Sequence, residues 1–239
     1  MGVMRLTRNI LAFLLAFLLI MLLIMPVVFI SGVCRREGFI YSSARLVIGA
    51  VVRVLGVRTV VRGLDAVALS LPPVIISNHL SNLDGPLLVC ALPLNPRVLV
   101  KAEARRIPLV GWVMKLAGFV FVDRSSAPGR QEALEKAIET IKKKRCPFLV
   151  FPEGTRSRDG SMREFKKGGF LIARRAGVPV LPVRISGTHL LLPPGRKTCA
   201  AGTVFIDIFP PLDLGSVAES ELGGLARSTQ KKYYVEEIT

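Results

Sequence analysis

Two side chains of opposite acid–base character, His79 and Asp84, stand five residues apart in the polar stretch Ser77-Asn78-His79-Leu80-Ser81-Asn82-Leu83-Asp84. On a regular helix, positions five apart point about 140° away from each other. These two therefore meet only across a turn, which the polar residues between them allow. An aspartate that accepts from one imidazole nitrogen fixes the tautomer and leaves the other nitrogen to act as a base. A His near an Asp also arises for purely structural reasons, so the surroundings must decide. The second of the two histidines, His189, follows Ser186-Gly187-Thr188 and is read as structural.

Other chemistry-bearing residues follow short apolar runs. Lys101 comes after 98–100, Asp123-Arg124 after 119–122, and Glu153-Gly154-Thr155-Arg156 after 148–151, just as His79 comes after 74–77. Strands of a parallel sheet share one carboxyl edge, where open α/β sheets place their ligands. A His, an Asp, a Glu and three cations along one edge suit an anionic substrate and a proton transfer. Arg grips a phosphate with two donors, while Lys supplies a point charge. Each group also has a plainer reading. Arg124 beside Asp123 fits a surface pair, Pro152-Glu153-Gly154 an ordinary turn, and Lys142-Lys143-Lys144-Arg145 a solvated helix end.

The elements that must position these groups are short. Residues 57–61, 74–77, 98–100, 119–122, 148–151, 180–185 and 203–209 read as strands, and 87–92, 109–116, 131–144 and 168–176 as helices. Residues 131–144 give the clearest helix, with Ala133, Leu134, Ala137, Ile138 and Ile141 at three- and four-residue steps. Asp84 reads as the N-cap of the helix after it, with Pro86 in the first turn. Alternating strand and helix predicts an α/β domain over 57–214, a largely parallel β-sheet flanked by helices. The tail, 215–239, is polar, and structure is not assigned to all of it.

Ahead of that domain, residues 1–56 are read as N-terminal membrane-anchoring helices. Residues 10–30 carry no charged side chain, a run long enough to cross a bilayer core, with Pro26 as a kink or break. A secretory signal is the rival, but the run is long for one and lacks a small-residue exit. Residues 39–57, apolar with Arg45 and Arg53 interleaved, read as an amphipathic interfacial helix. Basic residues on both sides of the first run lean towards a cytoplasmic face without fixing orientation, and a two-helix hairpin in one leaflet stays open.

The 239 residues carry 33 Lys and Arg against 17 Asp and Glu, a formal charge of +16. That balance points to an anionic partner. Residues 1–62 hold eight Arg and one acid, Glu37, flanking apolar rather than aromatic or Gly-rich segments. This favours a membrane surface and sets nucleic acid aside, as do the missing zinc-finger and RNA-recognition signatures. Cys34, Cys90, Cys146 and Cys199 stand too far apart for a metal site and read as reduced thiols.

Taken together the blocks resemble those of the glycerolipid acyltransferases, in particular the 1-acyl-sn-glycerol-3-phosphate acyltransferase family. Asn78-His79-Leu80-Ser81-Asn82-Leu83-Asp84 resembles its N-H-x-x-x-x-D block, and Gly118-Phe119-Val120-Phe121-Val122-Asp123-Arg124 is similar to the second. Phe151-Pro152-Glu153-Gly154-Thr155-Arg156-Ser157 matches the third, and Val180-Leu181-Pro182-Val183 resembles the fourth. The four blocks fall in order over about 75–187. H-x-x-x-x-D alone is common; joined to F-P-E-G-T-R-S it is specific.

The resemblance implies transfer of an acyl group from acyl-CoA or acyl-carrier protein, as co-substrate, to the sn-2 hydroxyl of lysophosphatidic acid. His79 is then the base and Asp84 its partner. Lys101, Arg124 and Arg156 hold the acceptor's phosphate, and Glu153, Gly154 and Thr155 belong to the acceptor site. No covalent acyl-enzyme, cofactor or metal is expected, since the substrate hydroxyl is the nucleophile and no G-x-S-x-G is present. Three rival readings stay open: another lysolipid acceptor, a membrane hydrolase using the pair on water, and a non-catalytic module that keeps the fold.

Overall fold

The computed structural model describes residues 2–19, 22, 26, 37–108, 110–123, 126–157 and 159–235. Seven strands build one sheet: β1 Val57–Arg62, β2 Val74–Ser77, β3 Arg97–Lys101, β4 Val120–Val122, β5 Phe148–Val150, β6 Val180–Ser186 and β7 Gly202–Ile208. Their spatial order is β1-β7-β6-β2-β5-β3-β4. Every neighbouring pair is parallel except β6 with β7. The predicted α/β architecture is what forms, with one antiparallel pair in the sheet.

The central strands are short continuous apolar runs because both faces of the sheet are covered. Successive side chains point to opposite faces, so each strand serves two cores. Ile75, Leu149, Leu181, Val183 and Ile185 enter one core, with Leu83, Leu87, Leu88 and Leu92 from the segment around helix α3, Asp84–Ala91. Val74, Ile76, Phe148, Val150 and Val180 enter the other. That second face is covered by α5 (Ala127–Lys144), α6 (Gly168–Ala176) and, beyond the one-turn α7 (Thr188–Leu191), α8 (Leu222–Val235), through Ala137, Ile141, Phe170, Ala173, Leu222 and Ala226. Helix α6 lies directly on β2. A Cβ added at Gly169 would stand 2.3 Å from Ile76 Cδ1.

Two helices precede the sheet, α1 (Gly2–Leu19) and α2 (Glu37–Val54). Among the described residues no helix is long and apolar enough to cross a membrane. Much of the predicted 10–30 span lies outside those residues, as do Arg35 and Arg36. Helix α1 starts well ahead of that span and carries Arg5 and Arg8 within it. Helix α2 was expected as an interfacial element, yet it is also bound to the α/β layers. Arg45 donates from Nε to Val89 O (2.9 Å), and Tyr41 donates its hydroxyl to Pro96 O (2.8 Å).

The polar tail forms more structure than expected. Helix α8 turns a buried Tyr233 inward, and its hydroxyl donates to Ile76 O (2.8 Å), at the end of β2. The polar outer face of α8 masks that anchor in the sequence.

Candidate functional site

Strands β2, β5, β3 and β4 are neighbours in the sheet, so the residues at their carboxyl ends line one edge. His79 lies two residues beyond β2, the Glu153-Gly154-Thr155-Arg156 run three beyond β5, and Lys101 closes β3. Each short strand delivers its group to that edge because burial on both faces fixes its register. Arg124 lies outside the described residues.

The loop after β2 is wound around one oxygen. Asp84 Oδ2 stands 2.8 Å from His79 Nδ1 and accepts the backbone N–H groups of Leu80 and Ser81, each at 2.7 Å. The aspartate is fully buried, whereas the imidazole is about one-fifth exposed. Asp84 opens α3 rather than capping it. Leu83 occupies the N-cap position, and the carboxylate turns back into the preceding loop. The expected cap gives way because three donors from residues 79–81 reach that oxygen first. With Nδ1 held as a donor to Asp84, Nε2 is the imidazole nitrogen left to accept a proton.

Two further contacts hold the ring and its backbone. Phe151 stacks on the imidazole, with centroids 4.0 Å apart and planes 18° apart. Glu153 is buried, 2% exposed, and both of its carboxylate oxygens are taken by backbone. Oε1 accepts His79 N–H (2.7 Å) and Oε2 accepts Arg163 N–H (3.0 Å). Burial, with a smaller push from the nearby Asp84 charge, raises the Glu153 carboxyl to about 7 against those two N–H donors. Glu153 was expected at the acceptor site. The geometry puts it behind the histidine, outside the lining of the adjacent cavity, where it ties the third block to the first.

Asn78 clamps the same loop from the other side. Its amide mimics a strand residue, donating to Ile185 O and accepting from Ile185 N–H, both at 2.8 Å. Ser81 donates its hydroxyl to Leu192 O (2.7 Å). His189 sits with Nδ1 3.5 Å from Leu80 O and its ring against Gly160.

His79 opens on a cavity of about 950 Å³. One wall is α2, through Ile40, Tyr41, Ala44, Val47 and Ile48; another is β3 with the helix α4, Val110–Leu116. The lining is chiefly apolar, with His79, Asn82, Lys101, Thr155 and Arg156 as its polar members. Gly154 also lines it, at φ +76°, a left-handed backbone that favours glycine. Arg156 donates to Asn82 Oδ1, and Lys101, exposed, pairs with Glu103 at 2.7 Å. Among the described residues no group of three or more His, Cys, Asp or Glu could hold a metal ion.

Sequence reasoning missed Phe151, Asn82 and Asn78 as parts of the site, and α2 as a cavity wall. The asparagines were quoted within the first block and Phe151 within the third. Their roles depend on contacts up to 107 residues away, as for Asn78 with Ile185.

A parallel-sheet edge carrying a His–Asp pair beside an apolar cavity has the parts of a group-transfer enzyme for lipid-like substrates, and this chain belongs to the acyltransferase family. The family model named Acyltransferase matches residues 58–186, more than half of the chain. Within that family its relatives are more narrowly named. A 1-acyl-sn-glycerol-3-phosphate acyltransferase of Saccharomyces cerevisiae is 31% identical over 192 residues, 80% of this chain and 61% of that protein. The human 1-acyl-sn-glycerol-3-phosphate acyltransferase alpha is 30% identical over 171 residues, 72% of this chain and 60% of that protein. The crystal structure of the 1-acyl-sn-glycerophosphate (LPA) acyltransferase PlsC from Thermotoga maritima superposes with a TM-score of 0.78. It is 32% identical, and the match covers 95% of this chain and 97% of that one. The chain thus spans about three-fifths of the length of the yeast and human relatives and nearly all of the bacterial one.

Proposed function

We propose that this chain transfers an acyl group from acyl-CoA or acyl-carrier protein to the sn-2 hydroxyl of 1-acyl-sn-glycerol 3-phosphate, giving phosphatidic acid. The observation that carries the reading is His79 held by Asp84 at Nδ1 while it lines an apolar cavity. A cavity of about 950 Å³ is at the upper end of the ~300–1,000 Å³ usual for small-molecule sites. Its chiefly apolar wall suits an acyl chain. The names of the relatives in yeast, human and Thermotoga point to the same acceptor.

In the proposed reaction His79 Nε2 takes the proton of the sn-2 hydroxyl as that oxygen attacks the thioester carbonyl. Asp84 holds the imidazole in place and stabilises the imidazolium that forms. Collapse of the tetrahedral adduct breaks the carbon–sulfur bond. The imidazolium proton then passes to the departing thiolate, so His79 is restored and no acyl-enzyme forms. Glu153 keeps the His79 backbone in place, and Phe151 restricts its ring. Lys101, Arg156 and Arg124 receive the phosphate, with Gly154 and Thr155 beside them.

The protein works at a membrane, on its cytoplasmic face, anchored through its N-terminal helices. Exposed Val3, Leu6, Phe13 and Phe17 on α1, together with the +16 charge, support that placement beside an anionic lipid surface. There the acceptor's headgroup meets the site without the whole lipid leaving the bilayer.

The test is acyl transfer by purified protein in detergent micelles, with lysophosphatidic acid, lysophosphatidylethanolamine or no acceptor. Strong preference for lysophosphatidic acid is expected. Equal use of the second lysolipid overturns the phosphate assignment and leaves the proton-transfer pair intact. Thioester cleavage without an acceptor overturns the transferase reading in favour of a hydrolase.

A further inference from the structure

Between β3 and α4 the chain makes a 3-10 turn, Ala102–Arg106, and then exposes Ile107 (48%), Val110 (39%) and Trp112 (46%). Three large apolar side chains within six residues, on the surface of a strongly cationic protein, ask for a partner. Their position narrows what it is. Lys101, Ala104 and Val110 line the cavity mouth into which His79 opens, so the segment borders the entrance. The other side of α4 is already occupied, with Val113 and Leu116 packed against Val47 of α2, as Leu19 of α1 is, and also in a cluster with Ile40, Tyr41, Val89 and Ala117. Trp112 is thus left exposed on a helix whose inner side meets both the N-terminal helices and the α/β domain. The segment's charge narrows the partner further. Arg105 and Arg106 precede the triad and Lys115 follows Trp112, while Glu103, the one acid in 101–115, is paired with Lys101.

We infer that the exposed triad Ile107, Val110 and Trp112 is a second membrane-contacting element, which inserts into an anionic phospholipid surface and sets the cavity mouth against it. This rests on the reading of the substrate as a membrane lipid but does not depend on the N-terminal helices being the anchor. Apolar side chains with an indole at the rim and guanidinium groups alongside are what an interfacial segment needs. An indole places its apolar ring among acyl chains and its N–H at the headgroups. The basic flank adds attraction to anionic lipid and is screened by salt. Held there, the entrance takes the acceptor from the leaflet sideways.

The chain supplies its own reporter, since Trp112 is its only tryptophan. Flotation of the full chain with phosphatidylglycerol–phosphatidylcholine vesicles first measures whether it binds. Trp112 emission in the bound protein then shifts to the blue and is quenched by lipids brominated near the headgroup. Protein that does not float overturns the membrane placement itself. Protein that floats while Trp112 stays accessible to aqueous acrylamide overturns the insertion alone. An emission shift caused by acidic acyl-carrier protein and not by vesicles overturns it in favour of a protein-docking surface.

The Trp112→Glu variant supplies the second arm. Trp112 does not line the cavity, so transfer to a short-chain acceptor below its micellar concentration is expected to stay within about twofold of the parent. Transfer to lysophosphatidic acid in vesicles is expected to fall about tenfold or more, equivalent to at least ~1.4 kcal/mol of lost interfacial binding. Equal losses on both acceptors identify a packing defect and overturn the proposal, as does undiminished turnover on vesicles.

Discussion

Glu153→Gln separates the two parts that a buried carboxylate plays behind His79. The carboxylate accepts one backbone N–H on each oxygen, from His79 and from Arg163. Gln keeps the shape but turns one acceptor into an N–H donor, so one buried amide faces another donor. Burial has raised the glutamate carboxyl from 4.5 to about 7. Between those values the folded chain therefore holds a proton that the unfolded chain has released. The associated stability is fully present below pH 4.5 and is lost as the pH rises through about 7. The size of the displacement makes that loss ~3 kcal/mol. Gln carries no charge to desolvate, so the variant loses none of it. An unpaired buried amide costs ~1–3 kcal/mol, so above pH 7 the variant is expected to equal or exceed the parent by up to ~2 kcal/mol. Turnover falls, because the N–H that positions His79 has lost its acceptor or gained a repulsive neighbour. A fall of about ten- to hundredfold corresponds to ~1.4–2.7 kcal/mol at the transition state. Denaturant midpoints measured from pH 4.5 to 8 for both proteins isolate this group, since all others titrate alike. Parallel curves would refute the reasoning, as would parental turnover at pH 8.

Other substitutions probe the site and its frame. His79→Ala is expected to lower acyl transfer by about 10²–10⁴-fold, the usual range for a general base, with vesicle flotation unchanged. Parental turnover in the folded variant contradicts the proton-transfer role. Arg156→Ala is expected to raise the KM for lysophosphatidic acid and leave that for the acyl donor near its parental value, as steady-state kinetics in each substrate will show; a change confined to the donor reverses the assignment. Asn78→Ala removes both partners of the Ile185 backbone and is expected to destabilise the fold by ~2–4 kcal/mol, read as a lowered thermal midpoint. Gly169→Ala drives a methyl onto Ile76 Cδ1 at 2.3 Å and is expected to cost ~1–3 kcal/mol. A midpoint within a degree of the parent shows that α6 can lift from β2 without penalty.

The strands were legible because full burial on both faces leaves continuous apolar runs such as Val74-Ile75-Ile76, and the polar residues that follow them stand out. Nothing in those runs states their lateral order. The placing of β7 between β1 and β6, parallel to the first and antiparallel to the second, depends on a β1 pairing across more than a hundred residues. The His79 and Asp84 types were visible for the same local reason, since a short polar loop brings them together. Glu153 was visible as a residue and not as a role. Its function is set by two backbone amides, and a backbone amide has no signature in a sequence. Helix α2 was legible as amphipathic, but the pattern does not say that part of its apolar face closes a cavity, which the Arg45 and Tyr41 contacts with the domain bring about. Tyr233 ends the buried row Leu222, Ala226, Thr229 and Tyr233, a helical spacing that its small and polar members make faint in a largely polar helix.

The pairing of β1 with β7 bears on how the chain is made. Arg62 and Asp207, joined by an ion pair at 2.6 Å, are 145 residues apart. Asn9 on α1 likewise reaches the Cys199 backbone, 190 residues on. During synthesis β1 emerges long before its partner β7, whereas α1 and α2 can pack on each other, and α2 on the segment around α3, much earlier. Contacts of such high order close last. An emerging chain thus carries β1 with an unpaired edge until β7 has been made. Pairing of β1 with β7 is then the step that brings the Cys199 backbone to α1 and closes the sheet against it.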